Sequence, residues 1–335
     1  MFSSPVLSVI IPTRNREGLL RECLEALGNQ TLAASAYEIL VIDDGSSDGT
    51  SALCRSITSR PVLRYLYMDH SGISAAKNLG IREARGTIVL FADDDDIADG
   101  RLLEEHLDTH RRYPDENVAV LGYTTWSPAL AVSPMMEWVN EIGHLLFGYE
   151  EIPDGSVLNF EFFWGGRSSC KKALLATHGM FDETFMTIIE DIELGYRLSR
   201  VGLRVVLNRQ AVSFMNRSMT FVEFCERSER QGEALLLLSQ RHDDPVVADY
   251  CRRNLVNPDT GENIDTTEAL ECWSTLQRRL EGVQRRVHDI EAGLDSLQKG
   301  KTRVPIPDEL GTLYQWTFSA LRVRGAARAI GLEAD

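Results

Sequence analysis

Three groups of carboxylates in this chain stand where chemistry could be done. Asp43 and Asp44 close the apolar run of VIDDGSSDGT, and Asp93, Asp94, Asp95 and Asp96 follow the apolar run TIVLFA. Adjacent carboxylates repel one another and raise their own pKa values unless water or a cation neutralises them. At the end of a buried strand water is scarce, and oxygen ligands of this kind suit Mg²⁺ or Mn²⁺. Either ion commonly binds through one or two carboxylates plus substrate phosphates, which lets an acidic protein hold an anionic nucleotide. Taken bare, DDGS also reads as an Asx turn and the four-Asp run as a solvated loop. The third group is Glu190-Asp191 in TIIEDIELGYRL. As a bare motif it is an acidic helix start favoured by the macrodipole. Adjacent carboxylates also tend to raise one pKa, as a general base working near neutral pH requires.

The elements that must hold these groups are readable from periodicity. Strand-like runs at 6–11, 38–42, 62–67 and 87–91 alternate with helical stretches at 17–27, 50–58 and 74–84. That order predicts an α/β, Rossmann-like, mostly parallel central sheet flanked by helices. Ligands of such sheets lie beyond the carboxyl ends of the strands, where the acidic groups fall. Residues 101–215 add a helix at 101–110, strands at 118–122 and 204–207 and a helix around 191–201. We therefore expect a catalytic domain over 1–215, with a nucleotide-binding half at 1–100 and an acceptor half at 101–215, and a helical C-terminal region over 216–335. There Trp273, Leu276, Leu280, Val283, Val287, Ile290, Leu294 and Leu297 step by three or four, a heptad seam. It predicts either a homodimer or a helix laid on its own catalytic domain. The segment from Pro307 through Trp316 and Phe318 to Arg322, Arg324 and Arg328 reads as a basic amphipathic helix, suited to a membrane surface or to packing within the chain.

Composition narrows the partners. Among 335 residues, 50 Asp and Glu against 35 Lys and Arg give a formal charge of -15, the wrong sign for binding a nucleic-acid backbone. No 18-residue apolar span suggests a transmembrane segment. The six cysteines form no CxxC pair, which suits buried thiols and a cytoplasmic location. Gly300-Lys301-Thr302 imitates a phosphate loop, but Asp295 stands where its first glycine belongs and a helix precedes it. No GxGxxG follows the first strand.

In order and spacing, VLSVIIPTRNREGLLRECLEAL, EILVIDDGSSDGT, SGISAAKNLGIREARGTIVLFADDDDIADGRLL and WGGRSSCKKALLATHGMFDETFMTIIEDIELGYRLSRVG resemble the family 2 glycosyltransferases of the GT-A fold, over about residues 6 to 235. The resemblance implies a metal-dependent, inverting transferase that moves one sugar from a nucleotide diphosphate-sugar, a UDP-sugar first, to the hydroxyl of a carbohydrate or other acceptor. Pro12, Thr13, Arg14, Asn15 and Asp44 would hold the nucleoside, with Asp44 accepting from a base N–H. Asp93, Asp94 and Asp95 match the DxD-like motif, with Asp95 and Asp93 as metal ligands. Asp191 matches the base, Glu190 its neighbour, and Gly166 the acceptor-side loop. Lys77 stands where many relatives carry Arg, keeping a charge for the donor phosphates without the bidentate fork. Gly100 replaces a usual proline. Relatives often give the metal a His just after the strand ending near Ser213; here the stretch reads VSFMNRS, with Met215 and Asn216 instead.

Two other classes remain open at this stage: a non-catalytic binding or scaffold protein that works through its heptad helix, and a nucleotidyltransferase. Trp126, Trp138, Phe147, Tyr149, Phe162, Phe163 and Trp164 could form a carbohydrate platform or pack in the core.

Overall fold

The computed structural model describes residues 4–57, 61–149, 151–298 and 305–333; Gly300-Lys301-Thr302 lies outside the described residues. Strands β1 (Leu7–Thr13), β2 (Tyr37–Asp44), β3 (Val62–Met68) and β4 (Ile88–Phe91) alternate with helices α1 (Glu17–Gly28), α2 (Thr50–Ser56) and α3 (Ile73–Glu83). β2 and β4 are buried along their whole length, and β1 at all but one position. Both faces are covered, so these strands read as continuous apolar runs rather than as an alternation. β1 pairs in parallel with β2 on one side and β4 on the other, and β2 with β3. The register sets Thr13 opposite Asp43 and Ile10 opposite Phe91, so the acidic segments leave the sheet at the same edge.

The chain continues through β5 (Asp96–Ala98), α4 (Leu102–Arg112), β6 (Val118–Trp126), α5 (Pro134–Glu137), a π-helical turn (Trp138–Ile142), β7 (Val157–Leu158), β8 (Ser168–Lys171), α6 (Lys172–His178), α7 (Glu190–Ser199) and β9 (Arg204–Met215). The sheet order is β3-β2-β1-β4-β8-β6-β9-β5, with β7 on β9. β8 runs antiparallel between β4 and β6, and β6 and β9 are parallel. β8 carries no apolar alternation because its Ser168 and Ser169 are buried polar residues. Ser169 Oγ lies 2.8 Å from His106 Nδ1 and 2.9 Å from His110 Nε2, and burial pushes both imidazoles down to about 3, leaving them neutral. One core layer gathers Leu7, Val9 and Ile11 of β1 with Leu20 and Leu24 of α1 and Leu103 and Leu107 of α4.

The chain divides into two compact units, one of residues 1–131 and 149–217 and one of 132–148 and 218–335. The second unit holds α8 (Phe221–Arg241), α9 (Pro245–Asn254), α10 (Ala269–Gln298) and α11 (Asp308–Glu333). Residues 132–148 join it because the Trp138 ring packs 5.6 Å from Tyr314 and 6.1 Å from Phe318. α8 opens on a capping box, Thr220 Oγ1 accepting from Glu223 N and Glu223 Oε2 from Thr220 N.

Both apolar faces that the sequence showed in this region are covered inside the unit. The heptad seam of α10 is covered within its own unit. Its Leu276, Leu280, Val287 and Leu294 are buried, and α10 packs on α11 of the same unit, with Arg286 bonding Glu309 and Arg324 over the Trp273 ring. α11 follows the alternative of packing within the chain. Leu310, Tyr314, Phe318 and Leu321 are fully buried, Arg322 is buried too, and Arg324 and Arg328 both reach Glu229. The charges of Arg324 and Arg328 are thus met by one carboxylate of α8. No helix among the described residues is long and apolar enough to cross a membrane.

The α8–α11 crossing requires two glycines. A Cβ at Gly232 would fall 1.8 Å from the Arg322 carbonyl oxygen, and one at Gly325 would fall 1.9 Å from that of Glu229. Backbone atoms cannot swing away, so Gly232→Ala or Gly325→Ala forces the helices apart. Each should cost about 1–3 kcal/mol, read as a lowered urea midpoint of the helical unit. Gly282→Ala, which meets nothing within 4 Å, should not be destabilising.

Candidate active site

At the carboxyl edge of β1, β2 and β4 a cleft of about 300 Å³ is lined by Pro12, Thr13, Arg14 and Arg16 from the β1 turn, Asp44, His70 and Gly72, and Asp93 and Asp94. Asp44 lines it but is engaged: Oδ1 accepts from Ser71 N at 2.7 Å, and Oδ2 accepts from Gly72 N at 3.1 Å and lies 2.8 Å from His70 Nδ1. The carboxylate thereby fixes the turn that walls the cleft. Gly72, at φ 91, is required there, since a side chain would be strained and would meet the Met186 backbone. Asp43 forms the Asx turn that the sequence suggested, accepting from Ser46 N, with Tyr65 OH on its other oxygen. Asn15 does not line the cleft. At φ 53 it accepts from Ser47 N and donates its own N–H to Ser46 Oγ, tying the β1 turn to the β2 turn.

The four-Asp run after β4 fans out, and each carboxylate meets a guanidinium. Asp93 faces Arg167 at 3.3 Å. Asp94 accepts from Thr13 Oγ1 at 2.7 Å and Arg16 at 2.8 Å. Asp95 accepts from Arg217 Nε at 2.8 Å and Arg16 at 3.3 Å. Asp96 accepts from Ser213 Oγ at 2.9 Å, with Arg167 at 3.7 Å. Burial still pushes Asp94 up to about 6 against the pull of Arg16, and burial raises Asp96 likewise. The compensating cations of this run are therefore three arginines of the chain. Among the described residues no group of three His, Cys, Asp or Glu side chains converges to hold a metal ion. A divalent cation at Asp95 and Asp93 fits only in the mode that draws most of its oxygens from phosphate and water, and it would have to share Asp95 with Arg16 and Arg217.

On the other side, α7 begins at Glu190 directly after Ile189, a β-branched residue held at φ 67 and ψ 0. That conformation costs on the order of 1–3 kcal/mol and persists only because the buried side chain is clamped. It aims the helix start so that Asp191 Oδ2 accepts from Gly165 N at 2.8 Å and Oδ1 from Ile192 N at 2.8 Å. Burial and the neighbouring Glu190 charge push Asp191 up to about 6, with Lys77 opposing. Lys77 is 1% exposed and donates to Glu190 Oε1 at 2.7 Å, so the structure sets it beneath the acidic pair rather than in the open cleft.

Gly165 and Gly166 join the two sides. A Cβ on Gly165 would lie 2.5 Å from Lys77 Nζ and 3.1 Å from Asp191 Cβ; one on Gly166 would lie 2.1 Å from Asp93 Oδ2. Only glycine lets this backbone pass between Asp93 and Asp191. Of the seven aromatic residues, Trp126, Trp138, Phe147, Tyr149 and Phe163 are buried and take the core-packing alternative. Phe162 and Trp164 stay part-exposed and stack at 5.6 Å beside Gly165. Arg16, His70 and Arg217 were not singled out from sequence. Their roles come from long-range partners, and an arginine two residues past a strand carries no local signal.

Residues 8–164 match the model of Glycosyl transferase family 2. A validoxylamine A glucosyltransferase of Streptomyces hygroscopicus subsp. limoneus is 31% identical over 229 residues, covering 62% of this chain and 51% of that protein. The glycosyltransferase AglE of Haloferax volcanii is 39% identical over 107 residues, 31% of this chain and 35% of its own. The chain spans about half the length of the first of these relatives. Among solved structures, the mannosyltransferase PcManGT of Pyrobaculum calidifontis, in complex with GDP-Man and Mn²⁺, superposes with a TM-score of 0.62 at 18% identity, over 99% of this chain and 88% of its own. S. aureus TarS 1-349 in complex with UDP-GlcNAc gives 0.57 at 15% identity, over 98% and 92%. The fold is that of the GT-A transferases, and residues 8–164 carry the motifs of glycosyltransferase family 2.

Proposed function

We propose that the chain transfers a single sugar, with inversion, from a nucleotide diphosphate-sugar to an acceptor hydroxyl, with Asp191 as general base. The observation that carries this reading is the Gly165-Gly166 backbone between Asp93 and Asp191, which makes the donor-side and acceptor-side carboxylates parts of one site. In support, the two structural neighbours were solved with GDP-Man and UDP-GlcNAc. A UDP-sugar is the donor to try first.

In this reading the nucleoside lies in the cleft of Pro12, Thr13, Arg14 and Asp44, against the turn that Asp44 fixes. Arg16 lines the same cleft and offers donors to the diphosphate. A divalent cation, Mg²⁺ or Mn²⁺, at Asp95 and Asp93 would supply Lewis acidity toward the departing nucleoside diphosphate. Asp191 takes the proton of the acceptor hydroxyl. Its raised pKa matches that task, and the Gly165 N–H leaves one carboxylate oxygen oriented while the side chain remains part-exposed. Lys77 donates to Glu190 beside it, and the proximity of Glu190 raises the proton affinity of Asp191. Phe162 and Trp164 offer the acceptor an apolar face. The six buried cysteines, free of disulfides, fit a cytoplasmic enzyme.

Asp191→Asn should reduce transfer about 10²–10⁴-fold while leaving binding of UDP or GDP unchanged, measured by product formation and by calorimetry. Near-native turnover would remove Asp191 as the base. Because the base must be ionised, kcat/KM of the native chain should rise with pH through an acid limb near 6 and then level off. The limb lies above the ordinary carboxylate range because burial and Glu190 disfavour the charged form. Gly166→Ala should push Asp93 from its place and weaken nucleoside diphosphate binding about tenfold or more by calorimetry, roughly the worth of one charged contact. Gly28→Ala, with nothing within 4 Å of its Cβ, is the neutral comparison.

A further inference from the structure

Asp95 is buried, and one of its oxygens already carries two guanidinium contacts, Arg217 Nε at 2.8 Å and Arg16 at 3.3 Å. The position of Arg217 does not depend on the reach of a long side chain alone. β5 pairs with β9 so that Asp96 faces Met215, and one residue further the Asn216 N–H donates to the Asp95 carbonyl at 2.7 Å. The backbone ladder therefore delivers residue 217 to Asp95. Arg16 is tethered too, shared between Asp94 and Asp95.

We propose that Arg217 is a built-in counter-ion that competes with the divalent cation for Asp95, so that the chain takes up the metal strongly only together with a nucleoside diphosphate. This rests on the donor-site reading given above. A carboxylate oxygen in contact with a guanidinium cannot ligate a dication unless that contact is broken or shared, and breaking it without a new partner leaves cation facing cation. A diphosphate supplies the missing negative charge and a surface that suits the planar guanidinium fork. Metal and diphosphate then raise each other's affinity, because each removes the penalty the other would meet alone. Arg217 so acts as a positioning and gating residue rather than a catalytic one.

The test is Mn²⁺ binding by the full chain, followed by the EPR signal of free Mn²⁺, with and without UDP or GDP. Arg217→Gln should bind Mn²⁺ without nucleotide roughly tenfold more tightly than the native chain, the worth of one charge-assisted hydrogen bond. The factor by which UDP or GDP tightens Mn²⁺ should shrink in this variant. Arg217→Lys, which keeps the charge but loses the fork, should lie between the two. Asp95→Asn should abolish the tight Mn²⁺ site in both the native and Arg217→Gln backgrounds. Equal Mn²⁺ affinity of native and Arg217→Gln chains without nucleotide overturns the proposal, as does tight binding that survives Asp95→Asn. Failure of the donor-site reading looks different: the native chain then binds neither UDP nor GDP by calorimetry, whatever residue 217 is.

Discussion

Four carboxylates in a row at the end of a buried strand impose the constraint around which this site is built. Like charges a few ångströms apart in a poorly solvated place must each find a cation or give up their charge. The chain answers with three arginines from three distant segments. Arg16 leaves the β1 turn, Arg167 precedes β8 and Arg217 follows β9. Each arrives because of sheet order: β1 and β8 flank β4, and β9 pairs with β5. A strand moved elsewhere in the sheet would leave a buried carboxylate without its partner, so charge compensation and topology support one another.

The start of α7 meets a different difficulty, that of holding a carboxylate rigid while keeping it reluctant to ionise. Backbone amides from Gly165 and Ile192 fix both oxygens of Asp191, while burial and Glu190 raise its proton affinity. Lys77, bonded to Glu190, opposes that rise. The strained Ile189 sets the direction of the helix that carries them, a local cost tolerated where orientation matters. Two glycines then let one stretch of backbone serve both sides, with no side chain to separate Asp93 from Asp191.

The helical unit shows how much charge and periodicity leave open when read alone. A heptad seam and a basic amphipathic stretch each describe an apolar face that needs covering, and neither says by what. In the folded chain the two cover one another: α10 lies on α11, and Glu229 of α8 takes up Arg324 and Arg328. The glycines that permit the α8–α11 crossing look like weak points of a helix in sequence. Their use is visible only once the opposing carbonyls are in place.

The sequence by itself determined the alternation of strands and helices, the placing of Asp44, Asp93 to Asp96 and Glu190-Asp191 at element ends, and the likeness to family 2 glycosyltransferases. Those features rest on local periodicity and short motifs, which a chain carries wherever it folds. Only the tertiary structure decided that β8 is a buried polar strand, that Asp44 is spent on the turn at 70–72, that Lys77 lies under Glu190, and that Arg16, Arg167 and Arg217 neutralise the acidic run. Each of those facts joins residues dozens to more than a hundred positions apart. A hydrogen bond or ion pair across such a distance has no period and no motif, and exists only when the sheet order brings its two ends together.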